Sequence, residues 1–193
     1  MSGHTLITLR RLTSEDAETM AQLANNKKIW DCVRDLFPHP YTLQDARGFI
    51  GRASEEDPAN TFAIVNEEDQ LCGVISLMPN EGVYRISSEI GYWIGEPYWG
   101  RGIATQAIAQ ITQYGFEKLQ LERIYAGVYE FNVASMKALE KNGYIKEGVM
   151  RNAVIKNGQI LDDHRYAIHS LYKNGYTLAF KASDDIIHTA GIL

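Results

Sequence analysis

Ile90-Gly91-Tyr92-Trp93-Ile94-Gly95-Glu96-Pro97-Tyr98-Trp99-Gly100-Arg101-Gly102-Ile103-Ala104-Thr105 decides how the rest of this chain is read. A β-rich run ends near Ile94, turn-forming residues follow, and a helical pattern starts after Gly102. The first N–H groups of a helix have no intrahelical acceptor and sit at the positive end of its dipole. A strand–turn–helix of this kind therefore makes an anion site. Glycines at 100 and 102 let the backbone approach an oxygen cluster with no Cβ in the way, although a plain tight turn would use the same two residues. A P-loop would end in Gly-Lys-Ser/Thr, where this chain has Gly102-Ile103-Ala104. A dinucleotide fingerprint would place Gly or Ala at position 105 and an acid at the end of the next strand. Thr105 and Glu122, which stands before that strand, break the pattern.

Upstream, Thr61 to Val65, Leu71 to Met78 and Tyr84 to Ile94 are β-rich runs separated by turn-forming residues, which predicts an antiparallel meander. Before them, residues 5–11 read as a strand. Ser14, with Glu15 and Asp16 behind it, reads as the cap of a helix to about Asn26. Residues 27–41 read as irregular, and Thr42 as the cap of a helix to about Glu56. Downstream, Ala104, Ala107, Ile108, Ile111, Gly115 and Leu119 share one helical face. A strand from Arg123 to Phe131 follows, then a helix from Val133 to Lys141 ended by Asn142-Gly143. Two strands, Tyr144–Val154 and Gln159–Leu171, flank the hairpin signal Lys156-Asn157-Gly158. The pattern predicts an α+β (mixed α/β) domain over residues 1–172, with residues 173–193 a tail of unknown role.

Composition narrows the function classes. With 193 residues and 45% hydrophobic residues the chain can bury a core without staples. A formal net charge of −5 disfavours direct nucleic-acid binding, which needs a basic excess. Cys32 and Cys72 make no disulfide framework, and the five histidines show no metal-ligand spacing. No apolar run is long enough to span a membrane, so a soluble cytoplasmic protein is expected.

The quoted stretch resembles the acyl-CoA loop of the GNAT superfamily of N-acetyltransferases, Gln/Arg-x-x-Gly-x-Gly/Ala, with Trp99, Gly102 and Ala104 in the three places. A Tyr-Trp-Gly-x-Gly-x-Ala run is usual in the branch resembling ribosomal-protein N-terminal acetyltransferases. Glu89-Ile90-Gly91-Tyr92-Trp93 before the loop also recurs there. After it come Asn132-Val133-Ala134-Ser135, Gly143-Tyr144, Glu147-Gly148, and Asn157-Gly158 followed by Asp162 and Tyr166, in that order. The resemblance covers residues 5–172 in layout and 84–172 in motifs. It implies a mostly antiparallel twisted sheet of about seven strands, flanked by helices and splayed for acyl-CoA, with acetyl-CoA as co-substrate and no metal. The implied partner is an amine-bearing acceptor, in a protein that is a monomer or homodimer.

The resemblance also implies site residues. The backbone of Trp93 and Ile94 would pair with the pantetheine arm, and the N–H groups of Gly100, Arg101, Gly102, Ile103, Ala104 and Thr105 would hold the pyrophosphate, with Arg101 within reach of a phosphate. Asn132 would cap the following helix and contact pantetheine. Ser135 would protonate the departing thiolate, with Tyr129 or Tyr144 as alternatives. Glu89 is the candidate general base, since an amine must lose a proton to attack a thioester. Neither cysteine sits in a nucleophile motif, so direct attack is expected. The acceptor is the α-amine of a protein N-terminus or a small amine such as a polyamine, amino sugar or amino-acid derivative. A non-catalytic acyl-CoA-binding module is the other reading. Trp30, Phe37, Tyr41, Tyr84 and Tyr166 could line an entrance, although plain packing is the commoner role for such aromatics, and Asp162, Asp163 and His164 could attract a cation, although a solvated turn is the plainer account.

Overall fold

The computed structural model describes residues 5–170, so the tail at 173–193 lies outside the described residues. Seven strands form one sheet in the order β1-β2-β3-β4-β5-β7-β6. They are β1 (Ile7–Arg10), β2 (Thr61–Asn66), β3 (Leu71–Pro79), β4 (Ser87–Ile94), β5 (Arg123–Tyr129), β6 (Ile145–Lys156) and β7 (Gln159–His169). All neighbours are antiparallel except β4 and β5, which run parallel. The helices are α1 (Ala17–Ala24), α2 (Lys27–Trp30), α3 (Leu43–Ser54), α4 (Ile103–Glu117) and α5 (Val133–Lys141).

The meander forms because each run alternates its side chains between two covered faces. Ile64, Ile75, Leu77, Ile90 and Ile94 join Ile108 and Ile111 of α4 and Leu139 of α5 in one core. Ala63, Val65, Val74 and Trp93 join Met20 of α1 and Ile50 of α3 in the other. Helix α4 lies close to the sheet because it carries Gly115, where a Cβ would stand 2.8 Å from Ile124 and 2.9 Å from Leu77. Of the face read from the sequence, Ala107, Ile108, Ile111 and Gly115 are buried in α4, Ala104 is half-buried and Leu119 lies past the helix end, while Ile103, Thr112 and Phe116 are buried as well.

Local signals differ from the sequence reading in four places. The first helix is capped by Thr13 rather than Ser14. Asp16 answers with its own side chain, and a 3-10 turn over Ser14–Asp16 precedes α1. Residues 27–30, expected to be irregular, form the one-turn helix α2, because Asn26 accepts from the Lys28 N–H and caps it. Tyr84, expected to open a strand, instead ends a 3-10 turn that begins at Gly82 with φ +60°, and β4 starts at Ser87. Asp162, Asp163 and His164 lie within β7 rather than in a solvated turn. Thr42, by contrast, caps α3 as read, in a reciprocal box with Asp45. The hairpin turn also forms as read, with Asn157 at φ +52° and Gly158 at φ +74°.

Asp16 ties this N-terminal corner to the sheet. Its carboxylate receives two hydrogen bonds from the Arg10 guanidinium, both 2.8 Å, while Arg10 also reaches Asp69 at 2.7 Å. Burial pushes the Asp16 carboxyl up, but the bonds from Arg10 and Thr13 outweigh it and hold the group below its ordinary range. A lowered folded value means that the stabilisation is present above the unfolded pKa and is lost as pH falls through the folded one. Asp16→Asn is expected to cost about 2 kcal/mol at neutral pH and to flatten the acid limb of the stability curve below about pH 4. Urea unfolding between pH 2 and pH 7 measures both, and an unchanged acid limb would remove the ion pair from the account.

Candidate active site

β4 and β5 pair through Ser87↔Arg123, Ser88↔Ile124 and Glu89↔Tyr125 and then part, although β4 runs on to Ile94 and β5 to Tyr129. Each continues bonded to its other neighbour, β3 or β7. The last turns of β4 thus present a strand edge inside the sheet. The Trp93 carbonyl is turned toward β3, 2.2 Å from where a Cβ on Gly73 would stand, and the Gly95 N–H donates to Cys72 O at 2.8 Å. By two-residue alternation the backbone groups aimed into the splay belong to Tyr92 and Ile94, rather than to the predicted pair Trp93 and Ile94. Trp93 instead buries its indole in the core beneath α1 and α3.

The loop after β4 is shaped by its glycines. Gly100 has φ +75° and Gly102, the residue before α4, has φ +76°, a conformation that costs other residues about 1 kcal/mol or more. Trp99 departs from the Gln or Arg usual at its place, and its indole N–H donates to the Ile94 carbonyl at 2.7 Å, tying the loop to the strand end. Arg101 lays its guanidinium over the Tyr98 ring, 5.7 Å from the centroid. The first-turn N–H groups of Ile103, Ala104 and Thr105 stand at the start of α4, the longest of the helices described. The Asn142 side chain at the end of α5 donates to the Thr105 carbonyl at 3.1 Å, fixing α5 against this turn.

On the α4–α5 side of the splay, Asn132 caps α5 by accepting from the Ser135 N–H at 3.2 Å. The Ser135 hydroxyl lies 2.8 Å from the Tyr92 hydroxyl, and one donates a hydrogen bond to the other. Burial pushes the Tyr92 phenol up to about 12, with the bond to Ser135 working the other way. Tyr92 belongs to the Glu89–Trp93 stretch, but its bond to Ser135 joins residues 43 apart in sequence and no local pattern signals it. Tyr144 lies in the core with its hydroxyl 2.8 Å from that of Thr112.

The opposite face carries the charges. Glu89, Tyr125 and Ala167 lie in one cross-strand row, followed along β5 by Gly127 opposite Arg165 and Tyr129 opposite Asp163. Glu89 is only 14% exposed and receives a hydrogen bond from Arg34, which reaches over from the segment after α2. Asp163 is buried and accepts from Arg165 at 2.9 Å. Gly127 makes room for that pair. Tyr129 stands beside it, its phenol raised chiefly by burial.

A latch closes the rim. Lys156, at the tip of the β6–β7 hairpin, is 2% exposed, lies 3.6 Å above the Trp30 ring and pairs with Asp35 at 2.7 Å. Asn157 donates to Asp31 at 2.8 Å. Trp30 therefore meets the hairpin tip, while Phe37 and Tyr41 pack on each other and on Trp93 as core. Tyr166 is buried with its hydroxyl on Glu140, and Tyr84 is exposed on the turn before β4. Burial raises both thiols, Cys32 and Cys72, which keeps them protonated and poorly nucleophilic.

Residues 7–145 match the family described as Acetyltransferase (GNAT) domain. The "Uncharacterized N-acetyltransferase p20" of Bacillus licheniformis is 31% identical over 170 residues, 84% of this chain and 92% of that protein. Among solved structures, spermidine N-acetyltransferase from Vibrio cholerae in complex with CoA and spermine superposes with a TM-score of 0.72 at 26% identity, covering 84% of this chain and 95% of that one. RimL, a ribosomal L7/L12 alpha-N-protein acetyltransferase in complex with coenzyme A, shares the fold with a TM-score of 0.74 at 21% identity, over 88% and 96% of the two chains.

The charged face gives a direct test of its packing. A Cβ on Gly127 would stand 2.7 Å from Arg165 Nη1 and 2.9 Å from both Asp163 oxygens. Gly127→Ala is expected to lower stability by about 1–3 kcal/mol, a drop of several degrees in Tm by calorimetry. An unchanged Tm would mean that the ion pair is free to move aside.

Proposed function

This chain belongs to the GNAT acetyltransferase family, and we propose that its splayed site moves the acetyl group of acetyl-CoA to a primary amine by direct attack, with Glu89 as general base and Ser135 as general acid. Acetyl-CoA is the co-substrate. The observation that carries the assignment of roles is the parting of β4 from β5 after Glu89, which leaves a strand edge between two chemically different faces. Pantetheine would lie along that edge, and its diphosphate would meet the N–H groups from Gly100 to Thr105, with Arg101 beside them. Main-chain donors suit phosphate oxygens because they cost no ordering when the ligand arrives. Asn132 holds the start of α5, and with it Ser135, against the opening.

The step then balances as follows. The neutral amine nitrogen attacks the thioester carbonyl while Glu89 takes a proton from that nitrogen. The new C–N bond forms, the strand N–H near Ile94 stabilises the oxyanion, and the C–S bond breaks. The sulfur takes a proton from Ser135, which Tyr92, protonated at neutral pH, backs through their 2.8 Å contact. The products are an amide and free CoA.

A protein N-terminal α-amine is one acceptor class, supported by the likeness of the loop and α5 motifs to that branch and by the fold shared with RimL. A small amine is the other, supported by the spermidine enzyme's structural match and by the pairing of Glu89 with a cationic side chain.

Glu89→Gln and Ser135→Ala are each expected to lower kcat by about 10²-fold or more while leaving the Kd for acetyl-CoA within a few-fold. The readouts are release of CoA thiol against peptides with free N-termini, blocked lysine peptides, polyamines and amino sugars, and calorimetry for the cofactor. Unchanged rates would remove both roles. Cofactor binding without turnover on any amine would favour a non-catalytic acyl-CoA module.

A further inference from the structure

The charges that an incoming acceptor meets first on the Glu89 face are cationic. Arg34, which donates to Glu89, has a side chain 58% exposed, while that of Glu89 is 14% exposed. Arg165 repeats the arrangement, with its side chain 31% exposed and that of its partner Asp163 9% exposed. In each pair the guanidinium lies outward and the carboxylate is shielded. The pairs are neutral as wholes, yet they present positive charge to solvent.

The two guanidiniums stand around one opening. Arg34 projects from the segment between α2 and α3. Burial works against its charge, but the bond to Glu89 and the charges of Glu89, Tyr129 and Asp163 raise the group above its ordinary value, so Arg34 is coupled to both carboxylates of the face. Arg165 comes from β7 and reaches over β5. Its Nη1 would stand 2.7 Å from a Cβ on Gly127, and its guanidinium carbon lies 5.4 Å from the centre of the Tyr125 ring. Tyr125 is the last β5 residue paired with β4, opposite Glu89, so Arg165 lies where the strands part. Nη1 donates to Asp163 at 2.9 Å, and the other donors of this guanidinium have no hydrogen-bond partner among the described residues. A guanidinium carries its N–H groups in a planar fork that fits a carboxylate. Gly127 is two residues past Tyr125, and ordinary strand spacings put its backbone roughly 8 Å from that of Glu89.

We infer that this face selects acceptors carrying a carboxylate about six bonds from the reacting nitrogen, received by Arg165 with Arg34 beside it, as the side chain of an acidic second residue stands behind an N-terminal α-amine. The inference rests on the acetyl-transfer reading above and deepens it. Such a chain, extended, reaches roughly 7 Å, on the order of the span from Glu89 to the Arg165 fork. The reaction supplies a second reason. Glu89 becomes neutral when it takes the proton from the attacking nitrogen, and Arg34 is then left without its counter-ion. A carboxylate on the acceptor fills that place through the bond-making step, in charge-assisted hydrogen bonds to the two guanidiniums. A neutral side chain leaves Arg34 unpaired, and a cationic one adds a further positive charge to the face. The Lys156 latch holds Trp30 and Asp35, which flank Arg34 in sequence, so the guanidinium is presented from an anchored segment.

The test compares the peptide amides Ser-Asp-Ala-Ala, Ser-Asn-Ala-Ala and Ser-Lys-Ala-Ala, and separately 6-aminohexanoate with 6-aminohexanamide. Each is tried as a substrate by release of CoA thiol and as a ligand by calorimetry in the presence of CoA. The Asp peptide is expected to exceed the Asn peptide by about 10-fold or more in kcat/KM, chiefly through KM, with the Lys peptide below both. Arg165→Gln should shrink that preference to within about twofold and Arg165→Lys should restore part of it, whereas a purely structural arginine would weaken use of both peptides alike. Arg34→Gln should also reduce the preference. Its side chain is largely exposed, so this variant keeps the experiment decisive if Arg165→Gln does not fold. A preference for 6-aminohexanoate as well assigns the carboxylate to a free small molecule, and one confined to the peptides assigns it to a protein N-terminus; either supports the inference. Equal use of carboxylate and amide in both sets, or a preference that survives in both arginine variants, overturns the inference while the acetyltransferase reading stands. Arginine-dependent, carboxylate-selective binding without turnover supports the inference and overturns the catalytic reading. Neither binding nor turnover of any of these compounds overturns the inference, and the amine panel above decides the catalytic reading by itself.

Discussion

Three residues of β4 find partners on β5, and the architecture of the site follows from the fact that a fourth does not. Parallel neighbours have no hairpin to set their separation, so their distance is fixed by what each strand does on its other side. β4 is held to β3 over seven register pairs from Gly73↔Ile94 to Pro79↔Ser88, and β5 to β7 from Arg123↔His169 to Tyr129↔Asp163. The two halves of the sheet therefore diverge as rigid bodies of antiparallel pairing. The opening carries backbone groups that want hydrogen bonds and lies next to the start of α4, where N–H groups are also without helical partners. In the proposed reading, the pantetheine and diphosphate of acetyl-CoA would meet both needs.

The two faces of the splay differ in kind because the sheet alternates. Even-numbered positions of β4 turn toward α4 and α5, where Tyr92 meets Ser135 in a shielded, uncharged setting suited to a leaving sulfur. Odd-numbered positions turn the other way, where Glu89 meets Arg34 and the β5–β7 rows bring Asp163 and Arg165. In the proposed reaction, proton loss from the incoming amine and proton gain by the leaving thiolate would thus fall on opposite sides of one strand. The rim above the charged face is fixed by Lys156, whose cation meets an indole on one side and a carboxylate on the other. Those partners offset the cost of burying an ammonium at the tip of a hairpin.

What could be read in the sequence was whatever depends on near neighbours. The Thr42 cap, the Asn157-Gly158 turn, the Asn132 cap and the apolar face of α4 each rest on residues within a few positions of one another, so their physics is written locally. The glycine loop belongs to the same class, because a left-handed φ at Gly100 and Gly102 is a property of those residues. So does the placing of Glu89 on the opposite face from Tyr92, which needs only the two-residue period of a strand. The difference at the first cap arose where Thr13 and Ser14 stand side by side and Thr13 prevailed, and that at residues 27–30 because a single turn of helix rests on the one cap Asn26 and carries no helical period to read.

The tertiary structure alone decided who meets whom across the splay. Arg34 reaches Glu89 over 55 residues, Lys156 reaches Asp35 over 121, and Tyr92 meets Ser135 over 43, and no local spacing encodes any of these. Asp163 reads as a turn acid by composition and becomes a shielded carboxylate because β5 leaves Gly127 beneath it. The sequence by itself determined the elements, the anion loop and the family chemistry, because backbone conformation and hydrogen-bonding capacity are local. The charge pattern that an acceptor encounters was decided only by folding, since burial and ion pairing are properties of groups brought together from distant parts of the chain.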